Sequence, residues 1–139
     1  MFELDETLAR DSIVLGSFPL SLLLLSRDAH YPWFILVPRR EGVREVVDLS
    51  DVDQQQLFAE STVLSRLLIE VYCADKLNVA ALGNMVPQLH IHHIVRYRND
   101  PAWPRPVWGA LPPGFEEDAV LKNKAEKLLD QLGAGFVRA

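Results

Sequence analysis

The chain has 139 residues, 49% of them hydrophobic and 24% charged, with a formal net charge of −5. That length suits one domain with a real core, and the acidic balance argues against non-specific binding to nucleic acid. The single cysteine, Cys73, can close no internal disulfide and fits a reducing compartment.

The first residues, "MFELDETLARD", are acidic and lack the basic start and apolar stretch of a signal peptide. The longest apolar run, "FPLSLLLLS", is too short to span a bilayer. A cytoplasmic protein without a membrane partner is therefore expected. "DSIVLGSF" and "LSLLLLS" are short apolar runs with the turn formers Gly16, Ser17 and Pro19 around the gap between them, the pattern of a β-hairpin. "WFILV" follows the break "RDAHYP" as a third strand and is closed by Pro38.

A long helix is expected from about Asp51 to Ala74. Ser50 and Asp53 resemble a capping box. Leu57, Leu64, Leu68 and Val71 then recur at helical spacing, with Phe58 and Leu67 widening the stripe. Cys73 lies in this pattern, so it is expected to be a buried structural thiol. "KLNVAAL" gives a fourth strand and "QLHIHHIVRY" a fifth. The segment "NDPAWPRPVWGALPPG" carries five prolines and is expected to be irregular surface chain.

A last helix is expected to start near Phe115, where Glu116, Glu117 and Asp118 complement the helix dipole. Val120, Leu121, Ala125, Leu128 and Leu132 would form its buried side, and Gly133 would end it. No repeat or linker divides the chain. Residues 1–139 are expected to form a single domain, with a core over roughly 12–98, a Pro/Trp-rich segment at 99–114 and a C-terminal helix at 115–133. The fold class is α+β, with a mostly antiparallel five-stranded sheet, one long helix and a C-terminal helix.

Three of the four histidines lie in "GNMVPQLHIHHIV". Alternate residues of a strand share a face, so Gln88, His90, His92 and Ile94 project together. Leu89, Ile91, His93 and Val95 project from the other side. His90 and His92 would then stand about 6–7 Å apart along the strand, and the informative unit is Gln-x-His-x-His. It suits three roles. It could be a polar strand face hydrogen-bonded for structural reasons. It could be a pair of metal ligands, which would need at least a third ligand. Or it could be a nucleophilic site, in which one imidazole attacks phosphorus while its other nitrogen is held by a hydrogen bond and neighbouring groups hold the phosphoryl oxygens.

The segment resembles the signature of the histidine triad (HIT) superfamily of nucleotide hydrolases and transferases, Gly-Gln-x-Val-x-His-φ-His-φ-His-φ-φ with φ apolar. The match places the glycine at Gly83, the glutamine at Asn84, the valine at Val86 and the triad at Gln88, His90 and His92. A register starting at His90 loses the matches at Gly83 and Val86. The resemblance implies that His90 attacks the α-phosphate and becomes transiently nucleotidylated. It implies that His92 contacts phosphate, and that Gln88 stands where an imidazole would serve the leaving group. An amide can donate and accept hydrogen bonds but cannot act as a general acid or base. The galactose-1-phosphate uridylyltransferases, a related branch, also carry a glutamine in the triad, at the third position.

The likeness extends over residues 12–98. Ser26 stands where many members have a ribose-binding asparagine, and Phe34 is aligned with a further active-site histidine of the "PGHVLVxP" strand. Asn84 and Arg96 are candidate substrate contacts, Arg96 for outer phosphates, with Arg98 on the same alternation. Trp103 and Trp108 could stack on a base, cover a partner or pin a loop. His30 is expected to be a loop residue near the nucleotide.

The function implied is hydrolysis or transfer of a nucleoside monophosphate group from a phosphoramidate or a dinucleoside polyphosphate, diadenosine polyphosphates included. The alternative is a nucleotide-binding or sensing domain with little turnover. No cofactor or metal is required by this chemistry, although a divalent ion could accompany a polyphosphate substrate. A homodimer is expected on resemblance.

Overall fold

The computed structural model describes residues 1–139. The chain opens with a short helix α1 (Glu6–Asp11), capped by Asp5, whose carboxylate accepts the Thr7 N–H at 2.8 Å. Strands β1 (Ser12–Ser17) and β2 (Ser21–Ser26) form the expected hairpin, and β3 (Trp33–Pro38) follows. The remaining elements are α2 (Asp51–Tyr72), β4 (Lys76–Ala80), β5 (Ile91–Arg96), α3 (Asp118–Gln131) and β6 (Val137–Arg138). The sheet order is β4-β5-β3-β2-β1-β6 with every neighbour antiparallel.

The sheet has six strands where five were expected. The extra strand, β6, is two residues long and pairs with Gly16 and Ser17. So short a strand carries no alternation to find. Its approach depends on Gly16, where a Cβ would lie 2.3 Å from the Val137 carbonyl oxygen. No helix is long and apolar enough to cross a membrane.

Alternation along the strands divides the sheet into two faces. Ile13, Leu15, Leu23, Leu25, Phe34, Leu36, Leu89, Ile91 and Val95 pack against Leu57, Leu64 and Leu68 of α2 and Leu121, Ala125 and Leu128 of α3. Burying each such leucine contributes roughly 1.5–3 kcal/mol, so this layer is the main core. The other face is covered in two separate places. Leu8 of α1 sits on Leu24, Ile35 and Val37, while Ala102 and Val107 of the Pro-rich segment sit on Tyr31 and Ile94. A cleft opens between these two covers.

Helix α2 starts as expected, with the Ser50 hydroxyl accepting the Asp53 N–H at 3.1 Å. The Asp53 carboxylate does not complete a capping box; it takes a two-pronged contact from Arg40 at 2.7 and 3.1 Å. Phe58 is exposed and does not widen the stripe. The buried face instead includes Glu60, whose carboxylate accepts the N–H groups of Leu20 and Ser21 at 2.8 and 3.0 Å. These bonds satisfy backbone donors at the hairpin turn that the core would otherwise strand. Cys73 is exposed rather than buried: it is the C-cap in left-handed conformation, φ 51°, and that turn swings its side chain off the helix face. Helix α3 begins at Asp118, not near Phe115, and Val120 is exposed. Phe115 remains extended and bridges to Asp28.

Candidate active site

The cleft between the two covers has a volume of about 520 Å³. Its floor is Ser26, Trp33, Ile35, His90 and His92; Thr7, Leu8 and Asp11 of α1 form one wall, and Trp108, Pro113 and Phe115 the other. The loop Leu82–Val86, which includes Asn84, makes the rim. His90 and His92 thus meet Ser26 and Asn84 in one cavity, with ring centroids of the two imidazoles 4.9 Å apart. Asp11 and Asp28 also line it, and no lysine or arginine does.

Hydrogen-bond partners fix the tautomer of each histidine. The Nδ1 of His90 lies 2.7 Å from the Gln88 carbonyl oxygen, which can only accept, so Nδ1 carries the proton and Nε2 keeps its lone pair. The Nδ1 of His92 lies 2.9 Å from the indole Nε1 of Trp33. An indole can only donate, so a neutral His92 carries its proton on Nε2. Burial, then the neighbouring His90 and His93, push His92 down to about 3, so it is neutral at ordinary pH.

His93 projects to the opposite side, as strand alternation requires. It is fully buried, donates from Nδ1 to the Ile91 carbonyl at 3.1 Å and accepts at Nε2 from the Ser61 hydroxyl of α2 at 2.7 Å. Burial lowers it to about 4 against the opposing effect of the Ile91 carbonyl. These depressed histidines set a direction for acid stability. The unfolded chain takes up protons below the ordinary value of 6.5 that the fold refuses until about 4 for His93 and about 3 for His92. Stability should therefore fall as pH drops through that window. Urea midpoints measured between pH 7.5 and pH 4.5 check this; a flat profile would contradict both burial assignments.

Several expected site residues lie elsewhere. The Gln88 amide does not line the cleft. Its nitrogen donates to the Glu3 carbonyl at 2.8 Å and its oxygen accepts the Asp5 N–H at 2.9 Å. The side chain therefore ties down the segment leading into α1, while only the backbone carbonyl serves His90. Arg96, expected to reach phosphate, is 1% exposed on the side of the sheet covered by the Pro-rich segment. It donates twice to Asp100 at 2.7 and 3.1 Å, to Asn78 at 2.7 Å and to the Arg105 carbonyl at 2.8 Å. The rings of Tyr31 and Trp103 flank its guanidinium at 5.7 and 5.6 Å. Arg98 lies beyond β5 and is exposed. His30 sits in the turn after β2, 3.0 Å from Asp28, and does not line the cleft.

Phe34 is in the main core on the α2 face, so it does not stand at the site. The β3 residues that face the cleft are Trp33 and Ile35, on either side of it, and Trp108 closes over Trp33 at 5.8 Å and over His92 at 5.1 Å. Period-two alternation could have found this, since Phe34 pairs with His93 and Ile35 with His92. The contribution of α1, with Thr7, Leu8 and Asp11, had no sequence signal: a six-residue helix shows too little periodicity. No group of three or more His, Cys, Asp or Glu side chains is placed to hold a metal ion.

The model of the HIT domain matches residues 7–99. A histidine triad protein from Marinobacter aquaeolei is 52% identical with a TM-score of 0.89, over 96% of this chain and 99% of that one. One from Bradyrhizobium japonicum is 46% identical with a TM-score of 0.91, over 94% and 98% of the two chains. One from Sinorhizobium meliloti is 38% identical with a TM-score of 0.90, over 94% and 96%. No curated protein matches this chain.

Proposed function

The chain belongs to the HIT family, and from that premise we propose that it hydrolyses or transfers a nucleoside monophosphate group through a nucleotidyl-histidine on His90. The observation that carries this reading is the fixed His90 tautomer, with Nδ1–H bound to the Gln88 carbonyl and Nε2 free at the cleft floor. In the first step the Nε2 lone pair attacks the α-phosphorus. A P–N bond forms, the bond to the leaving group breaks, and the leaving group departs with that electron pair and takes a proton from water. The imidazole becomes cationic, and the Gln88 carbonyl oxygen stabilises it through the retained Nδ1–H. A second water then attacks phosphorus and gives its proton to the hydroxide left by the first step, the P–N electrons return to Nε2, and nucleoside monophosphate leaves with His90 neutral again.

The charge of the cleft bears on the leaving group. Its two carboxylates and lack of cationic side chains suit a substrate with one phosphoryl group and an amine leaving group better than a polyphosphate chain. Adenosine phosphoramidate should therefore be turned over faster than diadenosine tetraphosphate in the absence of added divalent ion. Equal rates, or the reverse order, would overturn that preference. Acid-quenched protein should carry a phosphorus-labelled adduct on His90; mass spectrometry placing it on His92 would refute the assignment. His93→Ala should keep kcat within about tenfold while losing roughly 1–3 kcal/mol of stability from its buried hydrogen bonds.

One observation favours the weakly active sensor instead. The Gln88 amide is committed to the N-terminal segment, so no side chain at that position meets the leaving group. Binding of AMP without turnover of any phosphoramidate or dinucleotide would select that reading. We also infer a homodimer. The family likeness supports it, as does the open edge of β4, which carries the half-exposed Val79 and could pair with a second copy. Light scattering would test it.

A further inference from the structure

We propose that Trp33 is a positioning residue that locks His92 in its Nε2–H tautomer, so that His92 meets the phosphoryl group as a hydrogen-bond donor and not as a base. The indole nitrogen stands 2.9 Å from His92 Nδ1, and a donor there excludes a proton on Nδ1. Strand pairing sets this geometry. Trp33 is opposite Ile94 and His92 is opposite Ile35, which makes Trp33 and His92 diagonal neighbours on one face. The ring is also confined on its other sides. Trp108 lies edge-on at 5.1 Å and His90 at 4.9 Å.

The lock makes the two imidazoles chemically opposite. His90 is bound through a donating Nδ1 and His92 through an accepting Nδ1. The cleft floor consequently offers one lone pair, to attack phosphorus, and one N–H, to hold a phosphoryl oxygen. Were His92 to take the tautomer of His90, two lone pairs would face the substrate and its oxygens would be repelled. Removing the indole N–H also frees Nδ1 to accept a proton, so His92 would charge at higher pH than the value of about 3 that burial, His90 and His93 now impose. The other ionisable groups facing the same cleft are Asp11 of α1 and Asp28 of the turn after β2. Both carboxylates favour the His92 cation once Nδ1 is free.

Two variants test this. Trp33→Phe removes the donor and keeps a ring. Replacement of Trp33 by β-(3-benzothienyl)alanine keeps the bicyclic shape and substitutes sulfur for the N–H, which serves if Trp33→Phe folds poorly. In the wild type, nitrogen-15 NMR of His92 should show a protonated Nε2 and an unprotonated Nδ1. Both variants should show a tautomer mixture and a His92 titration moved to higher pH. Trp108→Phe, which leaves the Trp33 N–H in place, should keep the wild-type tautomer. The kinetic part rests on the nucleotidyl-transfer reading: kcat should fall on the order of tenfold with KM changed less, and an acid limb should appear in the pH profile. The NMR part needs no substrate and stands even if that reading fails. A wild-type His92 protonated on Nδ1, or an unchanged tautomer in the benzothienyl variant, would overturn the proposal.

Discussion

His90→Ala should abolish release of AMP from adenosine phosphoramidate, lowering kcat on the order of 10⁴-fold or more, as loss of a nucleophile does elsewhere. The size follows from the arrangement. Among the groups of the cleft, His90 alone presents a lone pair held in place by a bond at its other nitrogen. His92 offers an N–H there, and His93 is on the far side of the sheet with both nitrogens engaged. No neighbour can take over attack on phosphorus. The variant should still fold, because His90 is not part of the main core, and it should still bind AMP. Steady-state release of AMP and a parallel binding isotherm check both halves. Residual turnover within tenfold of wild type would exclude the nucleotidyl-histidine on this residue.

The second large effect concerns stability. Asp100→Ala should cost roughly 3–5 kcal/mol, the usual consequence of leaving one member of a buried ion pair alone. The Asp100 side chain is 4% and that of Arg96 1% exposed, so the orphaned guanidinium would have no route to water. Burial acts to raise the Asp100 carboxyl, but the hydrogen bond from Arg96 and those from the N–H groups of Tyr97, Ala102 and Trp103 outweigh it and hold the group below the ordinary carboxylate range. Losing this centre should also loosen the segment that brings Trp108 over His92. Chemical denaturation would measure the first effect, and a rise in KM for the nucleotide the second. Arg96→Met leaves the Asp100 carboxylate with its three backbone N–H donors, so it should be milder than Asp100→Ala, which leaves the guanidinium with no counter-charge. A loss under 1 kcal/mol for Asp100→Ala would contradict this account of the segment.

Much of the fold was legible in the residues. The hairpin, the third strand and the long helix follow from apolar runs, turn formers and helical spacing, and all lie within a few residues of their expected bounds. The errors have local causes. Phe115 looked like a helix start because acidic residues follow it, yet it stays extended to bridge Asp28. Cys73 and Phe58 fit an apolar helix pattern, but the helix turns them outward while Glu60 is drawn in by two backbone donors. Spacing alone could not distinguish a buried carboxylate that caps a turn from a solvated one.

The candidate site divides in the same way. By itself the sequence determined that His90 and His92 share a face and that His93 does not, because the period of a strand is a property of its backbone. Only the tertiary structure decided what stands beside them. It turned the Gln88 amide to the N-terminal segment, enclosed Arg96 between Tyr31 and Trp103, and set Trp33 rather than Phe34 at the cleft. Those outcomes depend on partners distant in the chain. Glu3 and Asp5 lie more than 80 residues from Gln88 and Trp33 lies 59 from His92, and no local pattern encodes which donor will reach which acceptor across such separations.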